Sequence, residues 1–152
     1  MATNSRREQI LLAFKVILEG LPSIKKVARK QPTSPEDLKL IAGTQMPFLS
    51  MIGGVPQPKP HVSGRKPGGA DVVISELPVK LFVYFMDNVD GDSTLSDIMD
   101  DVWSTVWNDQ TLGFRFVHGI TIAPNADPVV WEPYVAFSMV ATITYNHNTK
   151  GI

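Results

Sequence analysis

Between residues 134 and 146 the chain alternates with a period of two, and no other feature narrows its fold as far. Val135, Phe137, Met139, Ala141, Ile143 and Tyr145 are apolar, while Ala136, Ser138, Val140, Thr142 and Thr144 between them are smaller or carry hydroxyls. Successive side chains of a strand point to opposite faces, so this run predicts an antiparallel strand with one face on a core. Residues 79–86, β-branched and aromatic on both faces, predict a second strand. Residues 72–75 would begin it, and Pro78 would limit it to an edge or a bulge. Residues 46–52 and 114–123 predict two more, and a short extended segment is expected at 24–30.

The helices announce themselves by their caps. Ser5 and Glu8 form a capping-box pattern, with Glu8 reaching back to the N-cap, and Leu11, Phe14, Leu18 and Leu21 recur at helical spacing until Gly20 and Pro22 end the element. Ser34-Pro35-Glu36-Asp37 begins a brief second helix that Gly43 ends. Thr94 and Asp97 open another long one, whose apolar stripe is Leu95, Ile98, Met99, Val102, Val106 and Trp107. The expected architecture is α+β: a mixed, mostly antiparallel sheet of about four strands with two longer helices packed on one face. The 152 residues form one expected domain, 1–152, and no internal repeat is visible.

Residues 54–69 are unlike the rest. Pro56, Pro58, Pro60 and Pro67 alternate with Gly54, Gly64, Gly68 and Gly69, and Lys59, His61, Arg65 and Lys66 add positive charge. Such a run cannot form a helix or join a central strand, so an extended irregular loop is expected. Loops of that length inside a domain are usually functional or disordered.

Composition removes several functions. The chain has no cysteine, which excludes disulfides and thiolate metal sites, and a net charge of -1, which gives no general attraction to nucleic acid or anionic lipid. The apolar stretch at 10–14 follows Arg6, Arg7 and Glu8 and is cut by Lys15, so no signal peptide is expected. No apolar run reaches the roughly 20 residues of a membrane span, and a soluble product with no membrane partner is expected.

Asp90-Gly91-Asp92-Ser93-Thr94 matches the Asp-x-Asp-x-Thr pattern of haloacid-dehalogenase-type phosphotransferases, in which one aspartate attacks phosphorus and the other serves as acid and base. That chemistry places the first aspartate at the end of a buried strand in a doubly wound domain. Here Asp87-Asn88-Val89 intervenes, and too little chain remains for the further parallel strands. A calcium loop begun at Asp87 has Val89 at its third position and Ile98 at its twelfth, so no acidic ligand closes it. The plain reading is that these aspartates solvate a turn and favour the following helix N-terminus, with Asp100 and Asp101 on that helix's polar face. His61, His118 and His147 lack metal-ligand spacing, and Ser63 and Ser138 lack a nucleophile-elbow setting. The glycines of the long loop form no phosphate-binding pattern beside Lys66. Trp103 and Trp107, four apart on a helix, read as core or interface packing. No catalytic, cofactor-binding or metal-ligating residue is expected, and the chain is read as no enzyme.

Several stretches taken together resemble the tail-terminator and tail-completion proteins of long-tailed phages, the family of the lambda minor tail protein U. They are the amphipathic first helix leading into Leu21-Pro22-Ser23-Ile24, the Pro/Gly-rich region, the strand Leu81-Phe82-Val83-Tyr84, and the helix at 95–102. The turn Asn108-Asp109-Gln110-Thr111-Leu112-Gly113, similar to the family's "D-x-T-L-G" turn, and the last strand complete the likeness. The resemblance implies an α+β subunit of a homo-hexameric ring that caps the tail tube, stops its polymerisation and offers a surface to the head connector. It brings no catalytic residues. The implied partners are other copies, the tail tube protein and a neck protein. The implied location is the neck end of the virion tail after synthesis in the host cytoplasm.

A ring joins two different surfaces of each subunit head to tail. The two expected here are the basic residues Lys59, His61, Arg65 and Lys66, and the acidic group Asp87, Asp90, Asp92, Asp97, Asp100 and Asp101. Opposite charge would set register and steer association. The alternatives are a neck protein joining connector to tail and, from another class, a small phosphotransferase using Asp90 and Asp92. A small-ligand α+β module has no positive support in the residues.

Overall fold

Among the described residues, two helices lie on one face of a seven-stranded mixed sheet. The computed structural model describes residues 5–30, 46–58, 64–65, 71–86, 91–131 and 134–148. In chain order the elements are α1 (Arg6–Glu19), β1 (Lys26–Ala28), β2 (Phe48–Gly53), β3 (Gln57–Pro58), β4 (Gly64–Arg65), β5 (Asp71–Met86), α2 (Gly91–Asn108), β6 (Val117–Trp131) and β7 (Tyr134–Asn148). The sheet order is β1-β2-β5-β7-β6, with β3 and β4 also paired to β5. The α+β class is as expected from the sequence; the strand count exceeds the four expected. The brief helix expected at 34–43 lies outside the described residues.

The long ladder between β5 and β7 is the backbone of the sheet, running from Val72 opposite Asn148 to Met86 opposite Tyr134. Its register puts Leu77, Val79, Leu81, Val83 and Phe85 on the same face as Ile143, Ala141, Met139, Phe137 and Val135, and all ten are buried. The alternation in β7 therefore reports the core face correctly. Ile10, Leu11, Phe14 and Leu18 of α1 and Ile98, Val102 and Val106 of α2 join that same cluster, which places both helices on one face. A smaller cluster, Met46, Phe48 and Tyr84, sits on the opposite face, with Phe48 and Tyr84 rings 6.4 Å apart.

Pro78 is not at an edge, but a bulge does lie opposite it: the partner register shifts by one residue between Gly53↔Val79 and Gln57↔Glu76. It lies midway along β5, a central strand, opposite Thr142 of β7. Its carbonyl accepts the Gly54 N–H at 2.8 Å on the other side. In an antiparallel ladder a residue's N–H and C=O point the same way, so the N–H that proline lacks would face the Gly54 carbonyl, which accepts Arg7 Nε at 3.1 Å instead. Gly54 is required there, because a Cβ on it would lie 2.9 Å from both the Pro78 ring and the Pro78 carbonyl oxygen.

β6 and β7 were expected to begin and end well apart, at 114–123 and 134–146. Instead β6 runs on to Trp131 and forms a hairpin with β7. Pro124 and Pro128 are tolerated because β6 is the outer strand, and the register shifts beside Pro124 and Ala126 take up the irregularity.

α1 starts as its cap dictates: Ser5 Oγ accepts the Glu8 N–H at 3.1 Å. The Glu8 carboxylate, however, takes both guanidinium nitrogens of Arg29, which ties α1 to the end of β1. That hydrogen bond, with the charge of the same arginine, holds the Glu8 carboxyl below the usual carboxylate range. Arg6 donates to the Asn146 carbonyl at 2.6 Å and lies 4.6 Å above the Phe116 ring.

Beneath this end of α1, Tyr145 is fully buried, and burial pushes its phenol above its ordinary value of 10.0 against the opposing pull of Arg7 and Arg6. A folded-state value above the unfolded one gives stability that is complete below about pH 10 and lost as pH rises through the raised value. Tyr145→Phe should therefore flatten the alkaline decline of the urea midpoint above about pH 10. An unchanged decline would show that the phenol is not buried neutral.

Candidate interaction surfaces

The described residues contain no group of three His, Cys, Asp or Glu side chains able to hold a metal ion. No helix among them is long and apolar enough to cross a membrane. What the structure offers is surface. On α2, Ile98, Val102 and Val106 recur every four residues and turn inward, with Leu95 and Met99 half-buried beside them. Each helical residue advances by about 100°, so Trp103 and Trp107 fall one step outside that stripe. They are 51% and 70% exposed, their rings stacked at 6.4 Å. Trp107 is thus not part of the core stripe to which the sequence pattern assigned it.

Two tryptophans left in water are costly, at roughly 1.5–3 kcal/mol of forgone burial for each large apolar side chain, and contiguous exposed apolar surface marks contact sites. The Trp pair forms a ridge with a groove on either side. One groove, about 290 Å³, lies between α2 and the outer strand β6 and includes Val106, Gln110, Ile120 and Ile122. The other, about 450 Å³, is bordered by Asp100, Ser104 and Asn108.

The turn after α2 sets the ridge against β6. Gln110 Nε2 donates to the Val106 carbonyl at 3.0 Å, and its Oε1 accepts the Ile120 N–H at 3.0 Å. Leu112 and Gly113 then both take positive φ, 53° and 78°. This conformation costs a non-glycine residue roughly 1–2 kcal/mol. It puts the Leu112 side chain into the core, which offsets that cost. Within the Asp-x-Thr-Leu-Gly stretch, Gln110 and the buried Leu112 therefore clamp the turn between helix and sheet.

A second surface occupies the other edge of the sheet. Leu12 and Val16, 43% and 70% exposed, share the outer side of α1 with Lys15. A groove of about 190 Å³ between this helix and β1 is bordered by Lys15, Glu19, Lys25 and Lys26. Residues 5–30 carry seven Lys or Arg and two Glu, whereas residues 91–110 carry five Asp and no Lys or Arg.

Of the residues expected to contact other chains, Asp97 is exposed and Asp101 half-buried on α2. Asp92 lies in the first turn of α2, and Arg65 in β4 opposite Asp71, where only the backbone is described. Lys59, His61, Lys66, Asp87 and Asp90 lie outside the described residues. Arg65 is paired at the start of β5 and α2 follows its end, so the full 16-residue strand, about 50 Å at 3.3 Å per residue, separates the two segments. Arg65 and the first turn of α2 therefore lie at opposite ends of β5. Asp92 sits on a helix following a strand antiparallel to both neighbours, β2 and β7, and not in the parallel sheet that the phosphotransferase pattern requires. Sequence reasoning read Trp103 and Trp107 as core or interface packing without deciding between the two, and placed no binding role on Lys25 or Lys26. The helical offset of the tryptophans from the 98/102/106 stripe was the available signal.

No protein-family model matches this sequence, and no curated protein does. Among solved structures, a chain titled "Virion of native gene transfer agent (GTA) particle" superposes with a TM-score of 0.52 over 93% of this chain and 95% of that one, at 12% identity. The fold is one found in a virion. At this identity the likeness is one of fold, and it spans nearly the whole of both chains.

Proposed function

We propose that the protein is a tail terminator: a subunit of a homo-hexameric ring that sits on the end of the tail tube, stops its polymerisation and offers the surface to which the head joins. The observation that carries this reading is the nearly full-length fold likeness to a chain of a gene transfer agent virion, and the sequence resemblance to tail terminators points the same way. The exposed tryptophan ridge and the lysine-bearing face at the other sheet edge support it. They are two dissimilar surfaces on one subunit, as a ring of heterologous contacts needs. In this reading the acidic residues Asp87, Asp90, Asp92, Asp97 and Asp101 face a neighbouring chain. The basic residues Lys59, His61, Arg65 and Lys66 face the tail tube or the neck protein. The protein does its work by contact, at the neck end of the virion, without a cofactor.

Native mass measurement and negative-stain imaging of the purified chain, alone and mixed with tail tubes, test this. Closed six-membered rings, free or seated on tube ends, are expected, as is an arrest of tube growth. A chain that stays monomeric and leaves tube length unchanged overturns the reading.

A further inference from the structure

The ring reading leaves open which surfaces close the ring, and the distribution of charge and exposed apolar groups answers it. We propose that the Trp103–Trp107 ridge of one copy, with Asp100 beside it and Asp97 exposed earlier on the same helix, docks on the Lys15, Lys25 and Lys26 face of the next copy, where Leu12 and Val16 receive the indoles. The occupant of each surface is thus a second copy of this chain. This inference rests on the ring reading and names the contact within it.

Three observations carry the assignment. The first is charge. The helix bearing the ridge has aspartates and no cation, while the segment containing α1 and β1 has a large excess of cations. The chain as a whole is nearly neutral, at -1, so the two charges are segregated and not a reflection of composition. Segregated opposite charge steers association and fixes register. The second is apolar complementarity: each surface has a pair of exposed large apolar residues one helical turn apart, Trp103 with Trp107 and Leu12 with Val16. The third is position. The ridge borders β6 and the lysine face borders β1, the two opposite edges of the sheet. A contact between these two unlike surfaces, made once with each neighbour, is heterologous and joins copies in a row, which closes as a ring when the rotation per copy allows.

The absence of native cysteine makes the contact directly testable by cross-linking. The full chain is prepared as Asp100→Cys, as Lys26→Cys and as the double variant, and each is treated with a short bis-maleimide. The double variant is expected to give a ladder of covalent oligomers, while each single variant stays at the monomer. A double variant that stops at a covalent dimer would mean a two-fold pairing of the two surfaces, and dimers from a single variant would mean one surface meeting its own copy; either result overturns the assignment. In parallel, Trp103→Ala with Trp107→Ala should weaken self-association about 30-fold or more. Reversing Asp97 and Asp100 to Lys should weaken it on the order of tenfold, and reversing Lys25 and Lys26 to Asp in that same chain should restore it. Failure of the second reversal to restore association would also overturn the proposal. The two readings fail separately. A ladder without any closed species retains this interface and sinks the ring. Closed rings from the wild-type chain without a ladder from the double variant retain the ring and sink this interface.

Discussion

Phe14→Ala is expected to cost about 3–5 kcal/mol, the range for removing a buried aromatic ring and leaving a cavity. Phe14 is fully buried in the middle of the α1 stripe formed with Ile10, Leu11 and Leu18, and it belongs to the same cluster as Leu49, Leu81 and Val83 of the sheet. The helix itself is short, 14 residues. Isolated helices of that length are marginal in water, so α1 persists because of this stripe. Against a typical total of about 5–15 kcal/mol, the substitution would remove roughly a fifth or more of the stability. Urea denaturation followed by far-UV circular dichroism reads the loss. Val16→Ala on the outer side of the same helix should shift the curve by no more than about 0.5 kcal/mol. Equal effects at the two positions would mean that α1 does not pack as described.

Gly54→Ala should cost about 1–3 kcal/mol through steric conflict alone. The added methyl would lie 2.9 Å from the Pro78 carbonyl oxygen, and the same oxygen accepts the Gly54 N–H. Backbone held in a central strand cannot retreat, so the ladder at Gly53 and Val79 must open instead. Gly113→Ala is the instructive comparison. Its φ is 78° and nothing lies within 4 Å of the added methyl, so only the left-handed backbone resists, at roughly 1–2 kcal/mol. Pairing each with a cavity-neutral probe of local opening separates the two causes. Hydrogen exchange at Val79 should accelerate in Gly54→Ala and stay unchanged in Gly113→Ala. Protection at Val79 that survives Gly54→Ala would show that the close approach is not there.

Much of the architecture is written locally. The period-two run in β7 names its buried face residue by residue, because the pleat alternates whatever the partner strand is. The 3.6-residue spacing in α1 does the same for Leu11, Phe14 and Leu18. Errors gather where local chemistry and sheet position disagree. Pro78 reads as a strand breaker, yet it stands in a central strand because the Gly54 carbonyl opposite its missing donor is taken by Arg7, 47 residues away from it in sequence. Pro124, Asn125, Asp127 and Pro128 read as a loop, yet an outer strand needs one hydrogen-bonded side only, and β7 supplies it. The candidate contact surface was the least legible part. Trp103 and Trp107 carry the same hydrophobic signal whether they pack inward or outward, and only the rotation of α2 on the sheet decides.

The sequence by itself determined the α+β class, the two long helices, the cap of α1, the core face of β7, and the separation of a cationic segment from an anionic one. Each depends on spacing or charge along the chain, which needs no partner to be defined. The sequence opened α2 at Thr94, three residues after its observed start at Gly91. The tertiary structure alone decided the strand order, the central position of β5, the outer position of β6 and the exposure of the tryptophan ridge. These depend on hydrogen-bond pairing and packing between residues far apart in sequence. A periodic pattern states which side of an element must be covered but not which element covers it.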